Sequence, residues 1–229
     1  MDKFPNWKCV FGYAREIVEG KRIANEYRIK GCQRFLDDYE SRRYDFDPTD
    51  AEFVIQIIES TVCHMQGEDQ RGVPLRGRPF LLMAFHKFII YNLLGFKIKG
   101  TKINRFHECL IFIPRKNVKT SFAGALAYAL GLLYRMSGAK IYVVAAALKQ
   151  TMETFEFVKY NIQHMGEDDE HGGHFHIIDN NNEHSIKAEL GGGLIELNAL
   201  ATNPDAQDSF NCNIAIADRL LSPASEMAW

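Results

Sequence analysis

Cys109-Leu110-Ile111-Phe112-Ile113 runs straight into Pro114-Arg115-Lys116-Asn117-Val118-Lys119-Thr120-Ser121, and an Ala-rich stretch follows to about Arg135. Five consecutive apolar residues predict a short strand buried on both faces, and the stretch from Lys119 to Arg135 predicts a helix. Strand, polar turn and helix in that order are what a phosphate-cradling loop needs. Backbone N–H groups of the turn and the helix start face the anion, a lysine reaches the terminal phosphates, and a hydroxyl holds Mg²⁺. Lys119 and Thr120 have the side chains for the last two roles. Arg115, Lys116, Asn117, Val118 and Ser121 complete the candidate nucleotide-binding loop. Against the GxxxxGK[ST] pattern, Ile113 and Val118 stand where glycines belong, and by pattern alone a Lys-Thr pair at a helix start is common.

Downstream, Ile141 to Val144 is β-branched and predicts a strand, and Lys149 to about Met165 predicts a helix. This alternation points to a parallel sheet in an α/β domain. Three β-like runs, His174 to Ile178, Ser185 to Leu190 and Leu194 to Leu200, are separated by Asn/Gly turns and read as antiparallel. The last apolar run, Asn213 to Ala217, ends on Asp218. An acidic residue at the tip of a buried strand is the second requirement of a nucleotide site, because it binds the magnesium through water; hydrophobic runs ending in Asp are nonetheless frequent.

Upstream, Tyr13 to Tyr39 has apolar residues at three- and four-residue steps, including Ile17, Ile23, Tyr27, Cys32 and Phe35. That spacing predicts a continuous amphipathic helix. Asp47-Pro48-Thr49 opens a second helix with Ala51, Val54, Ile55 and Ile58 on its buried face. Gln66 to Pro79, rich in Gly, Arg and Pro, predicts a boundary loop, and Phe80 to Leu94 a further helix. The expected organisation is an N-terminal helical region at 1–70 and a partial P-loop ATPase domain at 71–229.

With 46% hydrophobic and 24% charged residues, the 229-residue chain has the composition of a globular protein. His86, Lys87 and Asn92 interrupt its most apolar stretch, so no spanning helix and no membrane partner are expected. Five scattered cysteines without a CxxC pair predict reduced thiols. Net charge is only −2, but eleven Lys/Arg and one acidic residue lie between Arg71 and Lys119. A solvated surface explains such a stretch as readily as contact with a polyanion.

The quoted motifs, taken together, resemble the terminase large-subunit family of tailed bacteriophages. They are a "YA..V..GK" opening from Tyr13, "GCQRFLDDYE", "FDP..A..VI..IE", "GRPFLLMAFHKFIIYNLLGF", the deviant Walker A loop "IPRKNVKTS", "AKIYVVAAALKQ" and "ALATNPDAQDSFNCNIAIAD". The resemblance implies a P-loop NTPase sheet flanked by helices, with an N-terminal helical extension and a sheet that is incomplete within this chain, and no nuclease domain. It implies ATP and Mg²⁺ as ligands, with Thr120 and Asp218 at the metal. Arg115 would stabilise the γ-phosphate as a catalytic residue. His86 stands near the adenine, at a position where the family carries glutamine. Double-stranded DNA, the small terminase subunit, the portal protein and a homo-oligomeric ring are the implied partners, in the cytoplasm of the bacterial host. Two departures matter: Val118 replaces a glycine, and Arg219 occupies the position of the glutamate that activates the attacking water. An inactive truncated remnant and a helicase-like P-loop ATPase are the alternative readings.

His171, His174, His176 and His184 match no zinc spacing and predict a solvated loop and hairpin. Gly191-Gly192-Gly193 lacks a following helix and predicts a hairpin turn, and Phe155, Phe157 and Tyr160 predict core packing on a helix.

Overall fold

β3 (Ala139–Ala145) is the strand on which the sheet is organised, because it is paired on both sides. β6 (Gly193–Ala201) lies parallel to it from Ala139↔Ile195 to Ala145↔Ala201, and β7 (Ile214–Ala217) lies parallel on the other side from Ile141↔Ile214 to Val144↔Ala217. β4 (Phe175–Asp179) and β5 (His184–Leu190) continue the sheet antiparallel beyond β6, giving the order β4-β5-β6-β3-β7. The computed structural model describes residues 4–113, 117–145, 147–201 and 212–217. No described helix is long and apolar enough to cross a membrane.

The sheet is therefore mixed. The three runs separated by Asn/Gly turns form an antiparallel meander, as their alternation predicts. Gly191 and Gly192, at φ 58° and 80°, turn β5 into β6 in a conformation that costs other residues more. α5 (Lys119–Tyr134) and α6 (Leu148–Met165) cover one face. Ile141 and Val143 of β3, Ile195 and Leu197 of β6, and Phe155 and Ile162 of α6 share its core. Their alternation along each strand is what one covered face requires. Phe155 and Phe157 pack as core residues, each at most 2% exposed.

This sheet belongs to one of two compact units, Ser60–Phe80 with Ile113–Trp229. Within it the 60–80 segment is tied to α6: Cys63 N–H donates to Asn161 Oδ1 at 2.6 Å, and Asn161 Nδ2 donates to the Phe157 carbonyl. Asn161 is 3% exposed, so both bonds offset the cost of burying its amide.

The other unit comprises Met1–Glu59 and Leu81–Phe112. Its helices are α1 (Trp7–Val18), α2 (Glu26–Ser41), α3 (Thr49–Thr61) and α4 (Ala84–Gly95), with a two-residue antiparallel pairing of β1 (Asp45–Phe46) and β2 (Phe96–Lys97). Phe96 meets Phe35 and Phe46 edge to face at 5.4 and 4.9 Å between ring centroids, and Phe11 lies tilted against Phe35 at 4.9 Å. Asp47 Oδ1 accepts from the Thr49 N–H and hydroxyl, so the predicted start of α3 is correct.

Three sequence expectations are corrected. Tyr13 to Tyr39 is not one helix: Gly20 at φ 73° ends the first, and Asn25 caps the second by accepting from Arg28 N–H. Ile23, one of the apolar residues in that spacing, is fully exposed in that break. α4 starts at Ala84, not Phe80, because residues before it are held extended, with Phe80 N–H on Val62 O and Leu82 N–H on Glu59 Oε1. Cys109 to Ile113 is not a strand, and Leu110 and Phe112 are each 93% exposed. A strand-type run becomes a strand only where another strand pairs with it, and no described strand pairs with this one.

Candidate functional site

α5 begins at Lys119, as predicted, and leads through a 3-10 turn at Arg135–Ser137 directly into β3. The helix therefore runs against the strand, and Lys119 lies at the end of the sheet where β3 and β7 finish. β3 then leads into α6, so the N-terminus of α6 starts from the same end. Two helix N-termini and the C-terminal ends of parallel strands converge there, which is where open α/β sheets bind anionic ligands. The expectation that a central strand directly precedes Lys119 fails with the loss of the 109–113 strand.

The loop itself carries an outlier. Val118 has φ 49° and ψ 26°, the left-handed region, immediately before the first helical residue. A β-branched side chain is disfavoured there by about 1–3 kcal/mol. Glycine adopts this conformation without a Cβ clash, and glycine is what the phosphate-loop pattern specifies at this position. The backbone thus takes the shape the pattern calls for although the residue resists it.

Val118 at the N-cap has no side chain that could cap α5, and the first turn carries no acidic residue. The first helical bond is Phe122 N–H to the Val118 carbonyl at 2.9 Å, so the N–H groups of Lys119, Thr120 and Ser121 point off the helix end. Positive dipole and N–H groups together favour an anion. Asn117 precedes this end and is exposed; Val118, Lys119, Thr120 and Ser121 are half-buried.

α5 is pressed close against its neighbours. A Cβ at Gly124 would come within 2.7 Å of the Phe157 ring, and one at Gly131 within 2.8 Å of the Ile141 side chain. These approaches fix the helix, and with it Lys119, on α6 and the sheet.

The first turn of α6 holds Gln150, whose Oε1 is buried without a hydrogen-bond partner among the described residues. Sequence reasoning passed over this glutamine, since a single polar residue at a helix start carries no pattern. Its position at the end of the sheet where the parallel strands β3 and β7 finish makes it a candidate site residue.

β7 ends at Ala217 at the same end of the sheet, paired with Val144. Asp218, Arg219, Arg115 and Lys116 lie outside the described residues. His86 belongs to the other unit, at the third position of α4, where its Nδ1 accepts from Met83 N–H at 3.2 Å. Its ring is 1% exposed, and burial holds its pKa down at about 4, so it is neutral at physiological pH.

The four clustered histidines form carboxylate pairs: His171 with Asp168, His174 with Glu167, His176 with Asp169 and His184 with Asp179. No group of three or more metal-ligating side chains is arranged to hold a metal ion among the described residues.

A model of the terminase large subunit ATPase domain family matches residues 84–228. Among solved structures, the chain is similar to the large terminase of bacteriophage HK97, with 20% sequence identity and a TM-score of 0.46 over 73% of this chain. The chain spans 30% of the length of that protein. No curated protein matches it.

Proposed function

This chain belongs to the terminase large subunit ATPase domain family, and from that premise we propose that residues 114–121 bind the phosphates of ATP for a motor that packages double-stranded DNA. The observation that carries the reading is Val118, held in a glycine-type conformation just before Lys119 and Thr120 at the N-terminus of α5. Lys119 contacts the terminal phosphates, the N–H groups of 119–121 donate to the phosphate oxygens, and Arg115 steadies the γ-phosphate with a planar, bidentate guanidinium. Thr120 and Asp218 would hold Mg²⁺: a hydroxyl and a carboxylate are the hard oxygen donors that this ion takes. When bound, Mg²⁺ supplies neutralisation of the charge on the phosphate oxygens.

Arg219 sets the rate. Hydrolysis needs a group that takes a proton from the attacking water, and an arginine stays protonated at neutral pH. The chain accordingly binds ATP but hydrolyses it slowly. Replacing Arg219 with glutamate restores the base and raises phosphate release by about 10²-fold. A brisk rate in the unsubstituted chain would show that the base lies elsewhere.

Duplex DNA, the small terminase subunit, the portal protein and a homo-oligomeric ring are the partners this reading brings, in the cytoplasm of the bacterial host. The direct test is equilibrium binding of a fluorescent ATP analogue with Mg²⁺. Lys119→Ala should weaken binding at least tenfold with unchanged thermal stability. Equal affinity in the two proteins would remove the nucleotide site from this loop.

A further inference from the structure

In the unit containing α2 and α4, three arginines and two aromatic rings alternate in one stack. The Arg34 guanidinium lies 4.8 Å from the Phe106 ring centroid, Arg105 lies 4.6 Å from Phe106 and 3.9 Å from Tyr44, and Arg43 lies 5.6 Å from Tyr44. Arg105, at the centre, is anchored by Asp38, and both side chains are mostly buried. Arg34 and Arg43, at the ends, are exposed.

Two turns frame this stack and are fastened to each other. Lys99 Nζ donates to the Arg42 carbonyl at 3.2 Å, and Gly100 N–H donates to Asp45 Oδ2 at 2.7 Å. Arg42 closes α2 in the left-handed conformation, φ 52° and ψ 25°, which glycine would adopt at lower cost. Arg42, Arg43, Lys99 and Lys102 are all exposed on these turns. Asp38 and Asp45 are engaged, by Arg105 and by the Gly100 N–H, while Glu40 beside Tyr44 and Lys99 and Glu108 beside Arg34 and Phe106 are exposed, so the exposed cations Arg34, Arg42, Arg43, Lys99 and Lys102 outnumber these two exposed glutamates.

We propose that this arginine–aromatic stack, with Lys99 and Lys102, is a contact surface for the phosphate backbone of duplex nucleic acid. A guanidinium held over a ring has already lost part of its freedom before binding and still carries N–H donors for contact with phosphate. Flanking lysines add charge without geometric demand. Such contacts position a duplex without reading its sequence. An acidic protein surface would also attract the charge, but it offers no regularly spaced array of phosphate oxyanions to match cations spaced along one row of rings. The choice of duplex DNA as ligand rests on the motor function proposed above; the stack and its exposed cations do not.

The test measures anisotropy of a labelled 30-base-pair duplex of arbitrary sequence, with the full chain, across a salt titration. The triple variant Arg43→Glu/Lys99→Glu/Lys102→Glu should bind at least tenfold more weakly at low salt. Its slope of log K against log salt should be shallower by about 2.7, at about 0.9 per lost phosphate contact. Tyr44→Leu, which leaves every charge in place, should lose about threefold to fivefold, the scale of one exposed cation–π contact. A control of equal charge, Lys21→Glu/Arg28→Glu/Lys30→Glu, should lose less than the triple variant, with thermal unfolding confirming that each protein is folded. The proposal is overturned if the control loses as much, if Tyr44→Leu binds unchanged, if poly-glutamate competes as well as duplex, or if the unsubstituted chain does not bind duplex. ATP binding is read on the same proteins: its absence, with duplex binding intact, counts against the proposed function and leaves this surface standing.

Discussion

Asn213 grips Lys140 by its backbone at both ends: Asn213 Oδ1 accepts the Lys140 N–H at 3.0 Å, and the Asn213 N–H donates to the Lys140 carbonyl at 3.1 Å. This pairing sits one step before Ile141↔Ile214 and sets the register of β7 on β3. It thereby decides where the strand carrying the run toward Asp218 ends. Asn213→Ala removes the side-chain bond and should cost about 0.5–1.5 kcal/mol. Hydrogen exchange at Ile214 to Ala217 should accelerate while β4 and β5 keep their protection; unchanged exchange there would mean that the strand is held by other contacts.

Val118→Gly should stabilise the chain. Relief of the left-handed conformation offers about 1–3 kcal/mol, against about 0.5–1 kcal/mol for the greater freedom of glycine in the unfolded state. The net gain should raise the melting temperature by about 2–4 °C for a chain of this size. Nucleotide affinity should rise too, since the β-branched side chain no longer crowds the phosphates. A lower melting temperature would show that the Val118 side chain contributes packing that outweighs its strain.

Gly124→Ala sets two effects of opposite sign against each other. In an exposed helix the change would favour folding by about 1 kcal/mol. Here the added carbon meets the Phe157 ring at 2.7 Å, and overpacking of that kind costs about 1–3 kcal/mol. The denaturant midpoint should therefore fall. A midpoint that rises would indicate that Phe157 rotates away freely and that α5 and α6 are less closely fitted.

His86 makes stability fall with acid. Burial holds its pKa near 4 in the folded chain, below the ordinary value of 6.5, so the unfolded chain takes up the proton first as pH falls. Its stabilising contribution is complete above about pH 6.5 and is lost progressively between about pH 6.5 and 4. His86→Gln should flatten the stability profile across that window, as followed by chemical denaturation at several pH values. An identical slope in both proteins would place the acid sensitivity in other groups.

Much of the sheet was legible from residue order because its signals are local. The helix from Lys119, the β-branched strand at 141–144, the helix that follows it, the antiparallel runs and the strand before Asp218 each carry a period of their own. So does the placement of Lys119 and Thr120 at a helix start. The motif series also carried the family, which residues 84–228 match.

The rest depended on which distant groups meet. An apolar run such as 109–113 is strand-competent by itself, yet no described strand pairs with it, and pairing is decided between segments distant in sequence. The start of α4 at Ala84 and the stack of Arg34, Phe106, Arg105, Tyr44 and Arg43 likewise draw on residues far apart in the chain, whereas the break at Gly20 is local, a left-handed glycine followed by the Asn25 cap. The sequence by itself determined the residue types and the local periods, and with them the candidate loop. Tertiary structure alone decided the strand neighbours, the left-handed backbone at Val118 and the arginine stack. Those depend on hydrogen-bond partners and packing contacts that exist only after loops have closed, and no local period encodes them.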